Sequence, residues 1–172
     1  MPDAPLILTL TLDNESQVYF NQLRAAHFPP ERNYLAAHLT LFHHLPPHEP
    51  QIIEDIELLV QQNAVLTLQV TEIKSIGNGV AYQIDCPLLL QLHKQLQQQW
   101  FNWLTPQDRQ KLWPHVTVQN KVSTEQARLL KAQLTQELEP FTATGLGLSL
   151  FEYQNGPWGF IRSFDFKRTN NT

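Results

Sequence analysis

The sequence predicts an α+β fold of two similar lobes, each an antiparallel sheet with helices, facing each other across a central cleft. Three observations carry this reading. Segments of period-2 hydrophobicity alternate with segments of period 3.6, and tight Asn-Gly turns join neighbouring strands. The order strand, helix, loop, strand, helix, strand occurs twice. The landmarks of the two passes keep one offset, since 115 − 38 for two histidines and 156 − 79 for two turn glycines both give 77, and Asn78 and Asn155 match as well. Two units are too few for a solenoid, so a paired arrangement within one domain of 172 residues is expected. The approximate lobes are 1–78 and 79–167. A polar tail from Lys167 should be frayed across 168–172.

The first strand spans 5–12, with Leu6, Leu8, Leu10 and Leu12 on one face and Thr9 and Thr11 on the other. Asn14 then offers an N-cap, and Val18, Tyr19, Leu23 and Ala26 form a helical stripe. Pro29 and Pro30 mark a loop, and a short strand follows at 38–43. After Pro50, Ile52, Ile53, Ile56, Leu59 and Val60 give an amphipathic helix. A strand from Val65 to Ile73 turns at Gly77-Asn78-Gly79 into a partner strand at 80–85. The second pass opens with Pro87 at a helix start and a face of Leu89, Leu92, Leu96, Trp100 and Trp103. A loop over 105–114 leads to a strand at 115–121. Ser123 and Gln126 form a capping box for a helix carrying Ala127, Leu130, Leu134 and Leu138. Two final strands, 141–152 and 158–166, turn at Asn155-Gly156.

Composition narrows the function. A net charge of −4 argues against an extended nucleic-acid groove but leaves room for a site that grips one phosphate. The single cysteine, Cys86, excludes an internal disulfide framework and suits the cytoplasm. It reads as a small buried hydrophobe rather than a nucleophile. No apolar stretch reaches membrane-spanning length, and the leucine-threonine alternation near the N-terminus reads as a strand rather than a signal peptide. Nothing in the sequence asks for a second copy, so a monomer is favoured.

The chemistry concentrates in two tetrapeptides, His38-Leu39-Thr40-Leu41 and His115-Val116-Thr117-Val118. On a strand, positions i and i+2 share a face, so each tetrapeptide presents His and Thr together while its aliphatic residues anchor the strand. Displacement at a phosphodiester needs one group to accept a proton from the nucleophile and another to protonate the leaving oxygen. Two histidines divide those roles near neutral pH. The threonine hydroxyls can hold the non-bridging oxygens, where charge accumulates.

With these motifs the chain resembles the two-histidine (2H) phosphoesterase superfamily, in its 2′-5′ RNA ligase-like branch. The resemblance extends over 41–46, over 114–121 and over Gly156-Pro157-Trp158. It implies a bilobal α+β fold with a central cleft, no cofactor, and action on 2′,3′-cyclic phosphates or 2′-5′ linkages at a small nucleotide or RNA terminus. It implies His38 and His115 as catalytic residues, with Thr40 and Thr117 as phosphate-binding residues. No separate nucleoside triphosphate site is evident, so hydrolysis is the preferred direction.

Strand alternation extends the candidate site. Phe42 continues the His38 face, and Gln119 and Lys121 continue the His115 face. Phe42 could support a base or sugar, and Lys121 a flanking phosphate. Trp158, Phe160 and Arg162 share a face of the last strand and could form an aromatic and cationic wall. Each of these could instead be core or ordinary surface. His43, His44 and His48 invite a metal reading. That reading is set aside because His43 and His44 alternate across the strand and no partner ligand stands at a typical spacing. His27 and His93 read as surface helix residues. A non-catalytic phosphate or nucleotide binder is the main rival.

Overall fold

The computed structural model describes residues 3–168; the tail beyond 168 lies outside the described residues. Elements run in the order β1 (Leu6–Leu12), α1 (Asn14–His27), a 3₁₀ turn (Pro30–Arg32), β2 (Leu39–Leu45), α2 (Pro50–Gln62), β3 (Leu66–Ser75), β4 (Val80–Asp85), α3 (Pro87–Trp100), a second 3₁₀ turn (Phe101–Trp103), β5 (His115–Gln119), α4 (Thr124–Glu137), β6 (Phe141–Tyr153) and β7 (Trp158–Asp165). No helix among the described residues is long and apolar enough to cross a membrane.

The strands form one antiparallel sheet in the order β2-β1-β6-β3-β4-β5, with β7 paired to the second half of β6. The order is a palindrome: β2-β1-β6 in one direction matches β5-β4-β3 in the other, as a duplicated chain requires. The motif strands β2 and β5 stand at opposite ends of this path yet touch each other, so the sheet curls into a half-barrel.

Helix packing is crossed between the halves. α1, from the first pass, packs against β5 of the second. α3, from the second pass, packs against β2: His93 donates from Nε2 to the Leu41 carbonyl at 2.9 Å, and its ring stacks on Phe42 at 4.6 Å. His93 is therefore core, a correction to its reading as a surface residue; burial lowers its pKa, the Leu41 carbonyl opposing, and keeps the ring neutral. Trp100, fully buried, completes this contact from α3 at 5.1 Å from Phe42. Trp103 falls in the 3₁₀ turn after α3 ends and is exposed, so it does not extend the apolar face.

Two local expectations shift for identifiable reasons. The N-cap of α1 is Asp13 rather than Asn14, because the Asp13 carboxylate accepts from the Ser16 and Thr144 backbone N–H groups and ties the helix start to β6. The inner face of α1 is Ser16, Phe20 and Arg24, not the Val18–Tyr19 stripe; Val18 and Tyr19 are largely exposed. Phe20 sets this rotation by seating its ring against Tyr82 of β4 at 5.4 Å. The predicted capping box at Ser123 and Gln126 is present. Lys167, placed in the frayed tail by composition, bonds through its backbone to Asn63 and Val65.

A pair of β-bulges decides what each motif strand shows the cleft. In β2, Thr40 pairs with Thr9 and Phe42 with Leu8, so two steps on β2 oppose one on β1. In β5, Thr117 pairs with Ala81 and Gln119 with Val80, the same two-against-one step at the same repeat position. The extra residues, Leu41 and Val118, reverse the alternation after each Thr. Gly79 serves this second bulge: a Cβ there would collide with the Gln119 carbonyl oxygen. Gly156, its counterpart at the offset of 77, instead sits in the β6–β7 turn at φ +130°.

The bulge makes a contrast that denaturation can measure. Phe42→Ala should cost about 3–5 kcal/mol, as for a buried aromatic, whereas Phe160→Ala, on a ring 63% exposed, should stay within about 0.5 kcal/mol. Urea titrations of the two variants giving similar small losses would place Phe42 outside the core.

Candidate active site

His38 and His115 are held alike. The His38 Nδ1 lies 2.8 Å from the Ala36 carbonyl oxygen, and the His115 Nδ1 lies 2.7 Å from that of Trp113. A carbonyl only accepts, so Nδ1 carries the hydrogen in both rings. Each neutral imidazole therefore keeps a bare Nε2. The carbonyl two residues upstream orients both rings, and each ring leans on an indole. His115 stacks on Trp113 at 4.1 Å and 17°, and His38 lies 4.5 Å from Trp158.

The motifs share space crosswise. One cavity, of about 200 Å³, is bounded by Thr40 together with His115, His43 and Trp113. Another, of about 230 Å³, is bounded by Thr117 together with His38, Tyr34 and Lys121. Each histidine thus opens onto the same space as the other motif's threonine. A larger cavity of about 490 Å³ under α2 contains neither motif. Its lining sets Ile52, Ile53 and Leu150 beside Asp3, His48, Glu49 and Glu152, with His48 paired to Asp3 at 3.1 Å.

Both histidines are half-buried and biased toward neutrality. Burial pushes His38 down to about 4; the bond to Ala36 opposes this, while the charges of Arg24, His115 and His43 reinforce it. Burial also lowers His115, against the bond to Trp113 and with a small push from His43.

The other predicted residues divide. Trp158 stands at His38, and Lys121 lines the cavity with Thr117. Lys121 arrives there after β5 has ended, at φ 63°, an uncommon backbone for a non-glycine residue, and not by strand alternation. Phe42 and Gln119 are corrections: the bulges turn both inward, and they are 0% and 7% exposed. Phe160 packs edge-on to Phe151 at the surface and does not line either His–Thr cavity. Arg162 pairs with Glu57 of α2 at 2.9 Å, turned there by a register shift in the β6–β7 pairing beside Leu150. The wall expected from β7 is reduced to Trp158.

Four contributions were not read from the sequence. Asp108, in the loop before β5, accepts from the backbone N–H groups of His43 and His44 and from the His43 ring at 3.2 Å. Burial would raise its pKa, but those donors outweigh it and hold the carboxyl below the usual range. This carboxylate fixes His43 at the edge of the Thr40–His115 cavity. Tyr34 stands between the 230 Å³ cavity and the one beneath Trp158, where Thr9, Thr11 and Ser149 line the floor. Arg24 reaches in from α1 and donates to the Thr117 carbonyl at 3.2 Å. Only Trp113 carried a local signal, lying two residues before the motif histidine, as Ala36 does in the first half.

The depressed His38 pKa links to stability. The folded value, about 4, lies below the unfolded 6.5. The unfolded chain therefore takes up the proton first, and the contribution present above pH 6.5 is lost as pH falls toward 4. NMR titration should place the His38 ring near 4, and His38→Gln should flatten the stability–pH curve between 4 and 6.5. A midpoint at or above 6.5 would contradict the burial.

Comparison with known proteins adds to this geometry. Among curated proteins none matches. Among solved structures, TT0787 of Thermus thermophilus aligns over 96% of this chain and 100% of its own, with TM-score 0.69 and 14% identity. E. coli LigT complexed with 3'-AMP aligns over 96% and 99%, with TM-score 0.62 and 18% identity. LigT complexed with ATP aligns over 96% and 99%, with TM-score 0.57 and 20% identity. At such identities the likeness establishes the fold. Residues 12–157, nearly the whole chain, match the family described as the 2'-5' RNA ligase superfamily, and the chain belongs to that superfamily.

Proposed function

We propose that the protein is a metal-independent phosphodiesterase acting on a 2′,3′-cyclic phosphate or a 2′-5′ linkage at a small nucleotide or RNA end. The observation that carries this reading is the pair of imidazoles with Nδ1 tied to a backbone carbonyl and Nε2 free, each sharing a cavity with the opposite threonine. That E. coli LigT structures hold 3'-AMP, ATP, NADP+ and phosphate supports a nucleotide-sized ligand for the same fold.

His38, with the lower pKa, is the base. Its bare Nε2 takes a proton from water as the oxygen attacks phosphorus. Charge gathers on the non-bridging oxygens, where the Thr40 and Thr117 hydroxyls donate. His115, protonated at Nε2 beside the anionic phosphate, gives its proton to the leaving ribose oxygen as the bond to phosphorus breaks. Both proton transfers are supplied by side chains. Tyr34, Trp113 and Trp158 offer ring faces for a base.

Either His38→Ala or His115→Ala should lower turnover of a 2′,3′-cyclic nucleotide by at least about 100-fold, and the double variant far less than the product of the two. Near-normal activity in one single variant refutes the assignment. EDTA should leave the rate unchanged; loss on chelation with recovery on zinc would move the chemistry to a metal.

The pH profile follows from the two shifts. Neutral His38 is gained as pH rises through about 4, and protonated His115 is lost below its ordinary 6.5. The free-enzyme kcat/KM should therefore be a bell with its maximum on the acid side of 6.5. His38→Ala should abolish the acid limb of the residual rate, and His115→Ala the alkaline one. The opposite pattern would exchange their roles.

A further inference from the structure

Arg24 is a buried cation that the two-histidine chemistry does not use. It lies on the inner face of α1 and is only 4% exposed. Its Nε donates to Asn33 Oδ1 at 3.1 Å, one Nη donates to the Thr117 carbonyl at 3.2 Å, and its guanidinium carbon sits 4.0 Å from the Phe28 ring centroid. All three neighbours are neutral. A guanidinium has five N–H groups and stays charged at any working pH, so donors remain and the charge is unbalanced. Burying a cation without a counter-charge is costly, and a bound anion removes that cost.

The surroundings point the same way. Arg32 and Lys121 line the same cavity, beside Thr117 and His38. Among the described residues, no carboxylate pairs with Arg24, Arg32 or Lys121. The protein as a whole is acidic, with 12 basic against 16 acidic side chains. Three unpaired cations on one small cavity in such a chain are a local anion site, adjoining the position assigned to the scissile phosphate on its Thr117 side.

We propose that the Arg24–Arg32–Lys121 cavity is a second phosphate subsite, taking the phosphate next to the scissile one along a nucleotide chain. The preferred substrate is accordingly a species with at least two phosphates, such as an oligonucleotide end, rather than a mononucleoside cyclic phosphate. This rests on the phosphodiesterase reading for its substrate, though not for its binding. Tyr34, over the turn at Gly156 and on the rim of the cavity, stands where the intervening nucleoside passes.

The test separates the two readings. Calorimetry on the full-length protein would compare adenosine 3′,5′-bisphosphate with adenosine 3′-monophosphate across a salt series. The bisphosphate should bind at least about tenfold more tightly, the scale of one charge-assisted contact. Its salt slope should be steeper by about 0.7. Arg32→Ala and Lys121→Ala, both at exposed positions, should each shrink the preference several-fold with unchanged melting curves. Arg24→Lys, which keeps the charge but not the fork, should shrink it too. Equal affinity for the two probes, or a preference that survives both Arg32→Ala and Lys121→Ala, overturns the subsite. Turnover of a dinucleotide ending in a 2′,3′-cyclic phosphate is measured alongside. If it is absent while the bisphosphate preference holds, the hydrolase reading fails and the subsite stands; turnover without the preference gives the reverse.

Discussion

The structure depends on the crossed packing of its helices. Each motif strand stands at an end of the sheet path, with unpaired backbone groups on one side, and each is covered by the helix of the opposite half. α1 holds both motifs at once. Gln17 and Asn21 bind the carbonyl and the N–H of Ala37, the residue before His38, while Arg24 binds the carbonyl of Thr117. α3 does the corresponding work on β2 through His93 and Trp100. The two halves are therefore mutually required, and His38 and His115 are held relative to each other by helix packing together with these hydrogen bonds.

The cleft is electrostatically uneven. An acidic protein gathers Arg24, Arg32 and Lys121 on one side of the motifs and places Lys111 beside the Asp108 carboxylate on the other. Of these groups Arg24 contributes to the fall in the His38 pKa, after burial itself. An anion in the cleft offsets that charge, so ligand binding and histidine protonation are coupled.

The halves share a backbone plan and differ in what decorates it. The bulges fall at equivalent positions, Leu41 and Val118, and both histidines use the carbonyl two residues upstream. Past the bulge the first half puts Phe42 inward against α3 and fixes His43 with Asp108, while the second puts Gln119 inward and swings Lys121 into the cavity. A symmetric frame thus holds an asymmetric site.

The sequence by itself determined the elements, their duplication and the four residues of the paired motifs, because each is a local pattern. Strand alternation, capping at Ser123 and turn chemistry at Asn155-Gly156 act over a few residues and do not depend on distant partners. Tertiary structure decided what lies one step further. A bulge exists only relative to a pairing partner, so Phe42 and Gln119 turn inward against the alternation that predicts them outward. The buried face of α1 was chosen by the slot Phe20 fills beside Tyr82, which carried Arg24 inside where an arginine on a helix reads as surface. Asp108 reaches His43 across 65 positions of sequence, and no spacing rule spans that distance. Local periodicity reports which way a side chain points from its own strand or helix; only the completed packing fixes what it meets there.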